Sequence, residues 1–168
     1  MVRIMKLFIF IAAIVNLNCG VYGFRGNNPP EGIKSVAVPT FQDNSGFSDP
    51  TLVEKLTQRL KAKIISDNTF RIADKNISDA ALNCTVTNVR DEALVISSGE
   101  NVTKRKIIVT VSVDFENLKK QKKIWNKNFE NYGEYNSSGD AFSERTAGLN
   151  TAVERITEDI IIDITSNW

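Results

Sequence analysis

The stretch 104–116 constrains the fold of this 168-residue chain more than any other. Ile107, Val109, Val111, Val113 and Phe115 alternate with Ile108, Thr110, Ser112, Asp114 and Glu116. Successive side chains leave a strand on opposite faces, so this is a strand with one apolar and one largely polar side. A one-residue slip in pairing would turn the whole apolar set outward, so its register is tightly specified. Residues 81–96 are also strand-like, with Asp91-Glu92 marking a bulge or kink, and 97–102 (SSGENV) reads as the hairpin loop between the two. A third strand, 124–135, carries Trp125, Phe129 and Tyr132 after a basic tip at 119–123. The expectation is a three-stranded antiparallel meander that needs cover on one face only.

Two helices supply that cover. Asp49-Pro50 offers an N-cap and a proline at the first helical position, and Leu52, Val53, Leu56, Leu60 and Ile64 then recur at helical spacing. Lys55, Arg59, Lys61 and Lys63 fill its other faces as solvated charge. From Ser143 onward, Leu149, Ala152, Val153, Ile156, Ile160 and Ile164 mark a second buried stripe, with Glu154, Arg155, Glu158 and Asp159 on the wet side. Before the first helix, 33–40 is a β-branched run closing at Pro39, followed by a polar loop at 41–48. After it, 70–73 is a short strand, so the two strands flanking the helix can be parallel. Two singly striped helices cover one side of a sheet. The predicted fold is therefore a two-layer α/β (α+β) sandwich, with a mixed four- to five-stranded sheet and one face, including Thr110, Ser112 and Asp114, left open.

The N-terminus reads as an address. Arg3 and Lys6 precede the apolar run 7–15 (LFIFIAAIV), too short for a stable membrane-spanning helix but right for the core of an export signal. Cleavage before Cys19 yields a thiol for lipid attachment, although Asn16 and Asn18 occupy places where a lipobox carries aliphatic and small residues. Cleavage after Gly23, with Val21 and Gly23 as small residues, yields a soluble exported chain. Both cuts stay open on these residues; the first makes 1–18 a lipoprotein signal peptide, 19–32 the lipidated Cys and tether, and 33–168 the folded domain. For the lipidated chain, Gly20 after the Cys, where an Asp would favour inner-membrane retention, favours the outer membrane. Cys84, in phase with Leu82 and Val86, is a small core residue.

Chemistry is sparse. The chain has no His, which removes imidazole bases and His-ligated metal sites. No glycine pattern cradles phosphate, no carboxylate pair stands out, and Glu154, Glu158, Asp159 and Asp163 are a helix's wet face, so neither metal nor cofactor is implied. A net charge of +1 argues against nucleic acid as a partner. The basic groups at 104–106 and 119–123 engage phosphates or, as edge and tip lysines, block sheet-to-sheet association.

Cys19-Gly20 followed by VYGF, then IKSVAVPTF, DPTLVEKLTQRLKAKI, a strand, a long hairpin and a C-terminal helix resembles the LptE family of outer-membrane lipoproteins. The resemblance implies a non-enzymatic two-layer domain, lipid-anchored at the periplasmic face of the outer membrane. Such proteins plug and help assemble the LptD β-barrel that delivers lipopolysaccharide to the outer leaflet. It also implies lipopolysaccharide contact through basic loop residues. Here SSGENV has no cation before Lys104, Arg105 and Lys106, and the loop before the last helix has only Arg145 just inside the helix. Lipidation at Cys19 and a lipid A contact at Lys104, Arg105, Lys106 and Arg145 are the resulting expectations. Two other readings stand beside it: an envelope lipoprotein binding a different protein through the open face, and a soluble secreted enzyme or inhibitor.

Overall fold

The computed structural model describes residues 29–47, 49–96, 102–138 and 140–166. The expected signal peptide, Cys19 and residues 97–101 of the hairpin loop lie outside the described residues. The elements run β1 (Ser35–Ala37), β2 (Gln42–Asp43), α1 (Leu52–Asp67), β3 (Arg71–Ile72), β4 (Ala80–Ile96), β5 (Val102–Asn117), β6 (Lys122–Asn136) and α2 (Ala141–Ser166). The sheet order is β3-β1-β4-β5-β6, with β2 also pairing to β4. The parallel pairing of β1 with β3 (Ser35 opposite Arg71) and the antiparallel β4-β5-β6 meander both follow the sequence pattern.

The sheet has six strands, not four or five. The addition is β2, inside the segment expected to be loop, where Gln42 and Asp43 pair parallel to Thr85 and Val86. Two exposed polar residues carry no periodicity, so nothing in their pattern marks a strand. What places them is Phe41, which is buried and donates its backbone N–H to Thr57 Oγ1 of α1 at 3.0 Å. Helix α1 also starts later than its signals suggest. Asp49 Oδ1 accepts the Thr51 amide (2.9 Å) and hydroxyl (2.7 Å), forming a local turn, and the helix begins at Leu52 with Thr51 in the cap position. It ends at Asn68, left-handed at φ 62°, whose N–H returns to the Ile64 carbonyl.

Both helices lie on one face of the sheet. Leu52, Leu56, Leu60 and Ile64 of α1 and Leu149, Ile156, Ile160 and Ile164 of α2 meet Leu82, Val86, Ile107, Val109, Val111, Val113 and Phe115 in one core. Each large side chain so buried contributes about 1.5–3 kcal/mol before its lost rotamer freedom is subtracted. Cys84 belongs to this core, and burial pushes its thiol pKa well above the ordinary range. Helix α2 approaches β6 so closely that a Cβ on Gly133 would lie 1.8 Å from the Gly148 carbonyl oxygen.

The charged faces of the helices are not simply solvated. Arg59 pairs with Glu154, and Lys63 bridges Glu154 (2.8 Å) and Glu158, tying α1 to α2. Asp163 holds Lys127 of β6 at 2.8 Å, and Asp159 accepts from Asn131 at 2.9 Å. Exposed pairs of this kind contribute roughly 0–1 kcal/mol each, so they orient the helices more than they stabilise them.

At the end of the sheet where β1 begins, Asp79 acts as a clip. Its Oδ2 accepts the backbone N–H groups of Lys34 (2.8 Å) and Ser35 (2.9 Å) and the Ser35 hydroxyl (3.0 Å), while Oδ1 pairs with Lys119 of the β5–β6 turn. Lys119 and these donors hold its carboxyl far below the usual carboxylate range.

Candidate functional site

The face of the sheet opposite the helices is a polar mosaic built by strand alternation. Across β4 and β5, Asn83 stands opposite Asp114, Thr85 opposite Ser112, Asn88 opposite Thr110 and Glu92 opposite Lys106. On β6 the same face continues through Asn126, Asn128, Glu130, Tyr132 and Glu134. Its groups satisfy one another. Thr110 Oγ1 donates to Glu130 (2.8 Å), Arg90 bridges Glu92 (3.1 Å) and Glu130 (3.4 Å), and Asp114 accepts from Asn126 (2.9 Å) and Lys123 (2.6 Å). Lys123 and Asn126 hold the Asp114 carboxyl below its usual range, and Arg90 and Lys106 do the same for Glu92. Ile108 is the apolar island, with Tyr132 across from it and Lys106 stacked 5.8 Å from the Tyr132 ring. Carboxylates held ionised by cations are poor proton shuttles. The face is a preformed surface whose polar groups pair with one another.

The expected basic cluster divides between the two faces. Lys104 and Lys106 belong to the open face, while Arg105 turns to the helix side. There, Arg105 Nε (2.8 Å) and Arg145 Nε (3.0 Å) converge on the carboxylate of Asp91, which also accepts the Tyr135 hydroxyl at 2.7 Å. Arg145 in turn lies 4.9 Å from the ring centre of Phe47. Burial pushes the Asp91 carboxyl up, but the Tyr135 hydroxyl and the two guanidiniums outweigh it, and the net shift is downward. Burial and the facing Asp91 raise the Tyr135 phenol. The structure thus joins Arg105 and Arg145, 40 residues apart, and separates both from Lys104 and Lys106.

Asp91 and Tyr135 were missed as site residues. Asp91-Glu92 is not the bulge itself; the register breaks at Thr87 and again between Ala93 and Ile96. The extra residue at Thr87 shifts the phase, so the inward set changes from Leu82, Cys84 and Val86 to Val89, Asp91 and Ala93. A carboxylate on the inward phase of a strand demands cations, and that demand could have been read only with the bulge correctly placed.

Among the described residues, no group of three His, Cys, Asp or Glu side chains could hold a metal ion, and no helix is long and apolar enough to cross a membrane.

A helix-covered meander with a polar open face defines a fold class that occurs among bacterial lipoproteins. The chain is similar to the rare lipoprotein B from Shewanella oneidensis, at 13% identity and a TM-score of 0.52, over 76% of this chain and 92% of that one. It is also similar to PelC of the dodecamer from Paraburkholderia phytofirmans (12%, TM-score 0.56, 83% and 94% covered). The hypothetical protein CT253 from Chlamydia trachomatis shares the fold as well (7%, TM-score 0.58, 79% and 95% covered). Residues 33–166 match the LptE family, described as lipopolysaccharide-assembly, and the chain belongs to that family. No curated protein matches the sequence.

Proposed function

We propose that the chain is a non-enzymatic outer-membrane lipoprotein, held at the periplasmic face by a lipid on Cys19. In this reading residues 1–18 are removed, 19–32 form the tether, and the domain plugs and helps assemble an LptD-like β-barrel for lipopolysaccharide transport. The observation that carries the proposal is the open sheet face of β4, β5 and β6, whose side chains are polar and internally hydrogen-bonded. A barrel lumen is polar, so a plug needs this kind of surface and not a continuous apolar patch. Lys104 and Lys106 lie on this face toward lipid A phosphates, Lys106 also 3.4 Å from Glu92, while Arg105 and Arg145 are turned to Asp91 on the other side.

The test is photo-crosslinking in the native envelope from probes at Ser112 and Asn128 on the open face, with Gln58 on α1 as the comparison. Adducts from both sheet positions to one large, heat-modifiable β-barrel, absent from Gln58, are expected. Adducts to a different envelope protein would replace the plug reading with that of a lipoprotein serving another partner. Labelling with a fatty-acid analogue, lost in Cys19→Ala, tests the anchor separately.

A further inference from the structure

Strand β6 ends the sheet, and its outer edge is closed along only part of its length. The Thr110 carbonyl of β5 faces β4, where it accepts the Thr87 hydroxyl, so the even-numbered residues of β5 point their backbone groups toward β4. Their β6 partners, among them Asn126, Asn128, Glu130 and Tyr132, therefore point theirs outward. Toward the α2 end this row is capped by side chains. The Tyr132 N–H donates to Asn131 Oδ1 (2.9 Å), its carbonyl accepts from Arg155 (2.8 Å), and the Asn136 N–H donates to Glu144 (3.3 Å). Toward the β5–β6 turn, the outward groups of Asn126, Asn128 and Glu130 have no such cap among the described residues. The same stretch carries Trp125, whose buried indole N–H has no acceptor. An uncapped edge of this length is a template for another strand.

We propose that this edge pairs antiparallel with the same edge of a second copy of the chain, about a two-fold axis at Asn126. The sequence of the stretch is self-complementary in that arrangement and in no parallel one. The lysines at its start, Lys122 and Lys123, come alongside Glu130 of the other copy. Lys127, which already stands 5.2 Å from the Trp125 ring of its own chain, comes opposite Trp125 of the other. An axis at Lys127 would set like charges against each other. An axis at Asn128 would run the pairing into the capped Tyr132. The caps thus fix the register as well as the extent. A contact limited to one short strand falls below the size of a stable interface, so the dimer is weak and concentration-dependent. The inference concerns the free chain and does not rest on the identity of the partner that takes the open face.

Sedimentation equilibrium from micromolar to millimolar concentration tests it, using the full chain with Cys19→Ala. A monomer–dimer equilibrium is expected, weakened at least tenfold by Asn128→Pro, which removes an outward N–H without breaking a ladder bond to β5. Circular dichroism and melting temperature establish that this variant is folded. The register is tested independently by Asn126→Cys, which on the axis meets its own copy within disulfide reach. It should oxidise to a covalent dimer at least ten times faster than Glu134→Cys. A chain that stays monomeric at millimolar concentration, or equal cross-linking at the two positions, overturns the proposal.

Discussion

Replacing Gly133 with alanine tests how helix α2 is seated. The added Cβ would lie 1.8 Å from the Gly148 carbonyl oxygen, 2.7 Å from its carbon and 2.9 Å from Thr151 Cβ. The first two are backbone atoms of a helix and cannot swing aside. The helix must withdraw from β6 by about 1 Å or more, loosening the close packing on which core stability depends. Overpacking costs typically about 1–3 kcal/mol, and a backbone obstruction places this variant at the upper end. Alanine regains about 0.5–1 kcal/mol over glycine in a strand, too little to offset it. A net loss of about 2–3 kcal/mol corresponds to a fall in melting temperature of about 4–12 °C for a chain of this size. Gly148→Ala is the control. Its Cβ meets Tyr135 Cδ1, Tyr135 Cβ and the Gly133 oxygen at 3.2–3.3 Å, contacts that a shift of a few tenths of an ångström relieves. The helix also gains about 1 kcal/mol from losing a glycine, so Gly148→Ala should change stability by less than about 1 kcal/mol. Urea denaturation of both variants measures the difference. Equal effects, or a Gly133→Ala cost below about 1 kcal/mol, would refute the close approach as the seat of α2.

Four further outcomes are expected. Asp91→Ala leaves Arg105, Arg145 and Tyr135 without their shared acceptor and should cost about 2–4 kcal/mol, somewhat less than breaking a fully buried pair, with urea unfolding as the measurement. Lys104→Gln with Lys106→Gln should weaken lipopolysaccharide binding in a pull-down while leaving the melting temperature within about 2 °C, whereas Arg105→Gln should lower it. On acidification the folded state should lose stability below about pH 5. The Asp79 and Glu154 carboxyls titrate lower in the folded chain than in the unfolded one, Glu154 down to about 2 beside Arg59 and Lys63. Their contribution is complete above the unfolded values and fades as pH falls toward the folded ones, so Asp79→Asn should flatten the stability–pH profile in that window. Finally, Cys84 should resist thiol reagents in the native state and react fully in denaturant, because it is buried and its thiolate is disfavoured.

The core was legible because it is written in two simple periods. Alternation from Ile107 to Phe115 fixed which face of β5 is buried, and the stripe from Leu52 to Ile64 fixed what lies on it. The pattern failed where a single residue breaks phase or where a contact joins distant segments. Thr87 is one extra residue in β4, yet it alone decides that Asp91 points toward Arg105 and Arg145. The cations at 104–106 looked like one patch because neighbours in sequence are neighbours in space only in a loop. In a strand they are sent to opposite faces, and Arg105 went to the helix side. The pairing of Lys63 with Glu154 and Glu158 was hidden for a related reason. A stripe shows which side of a helix is dry but not which charges two helices turn toward each other.

The position of β1 has a mechanical consequence. It lies between β3 and β4 and runs parallel to both, with its first residue at the end of the sheet where the preceding chain enters. A pull on that preceding chain along the strand direction loads the hydrogen bonds to both neighbours at once, in shear, instead of peeling them one after another. The Asp79 carboxylate sits at the point where the load arrives, gripping the amides of Lys34 and Ser35 and, through Lys119, passing tension to the β5–β6 turn. The domain is therefore more resistant to force applied along β1 from its N-terminal side than to force that lifts β1 sideways out of the sheet.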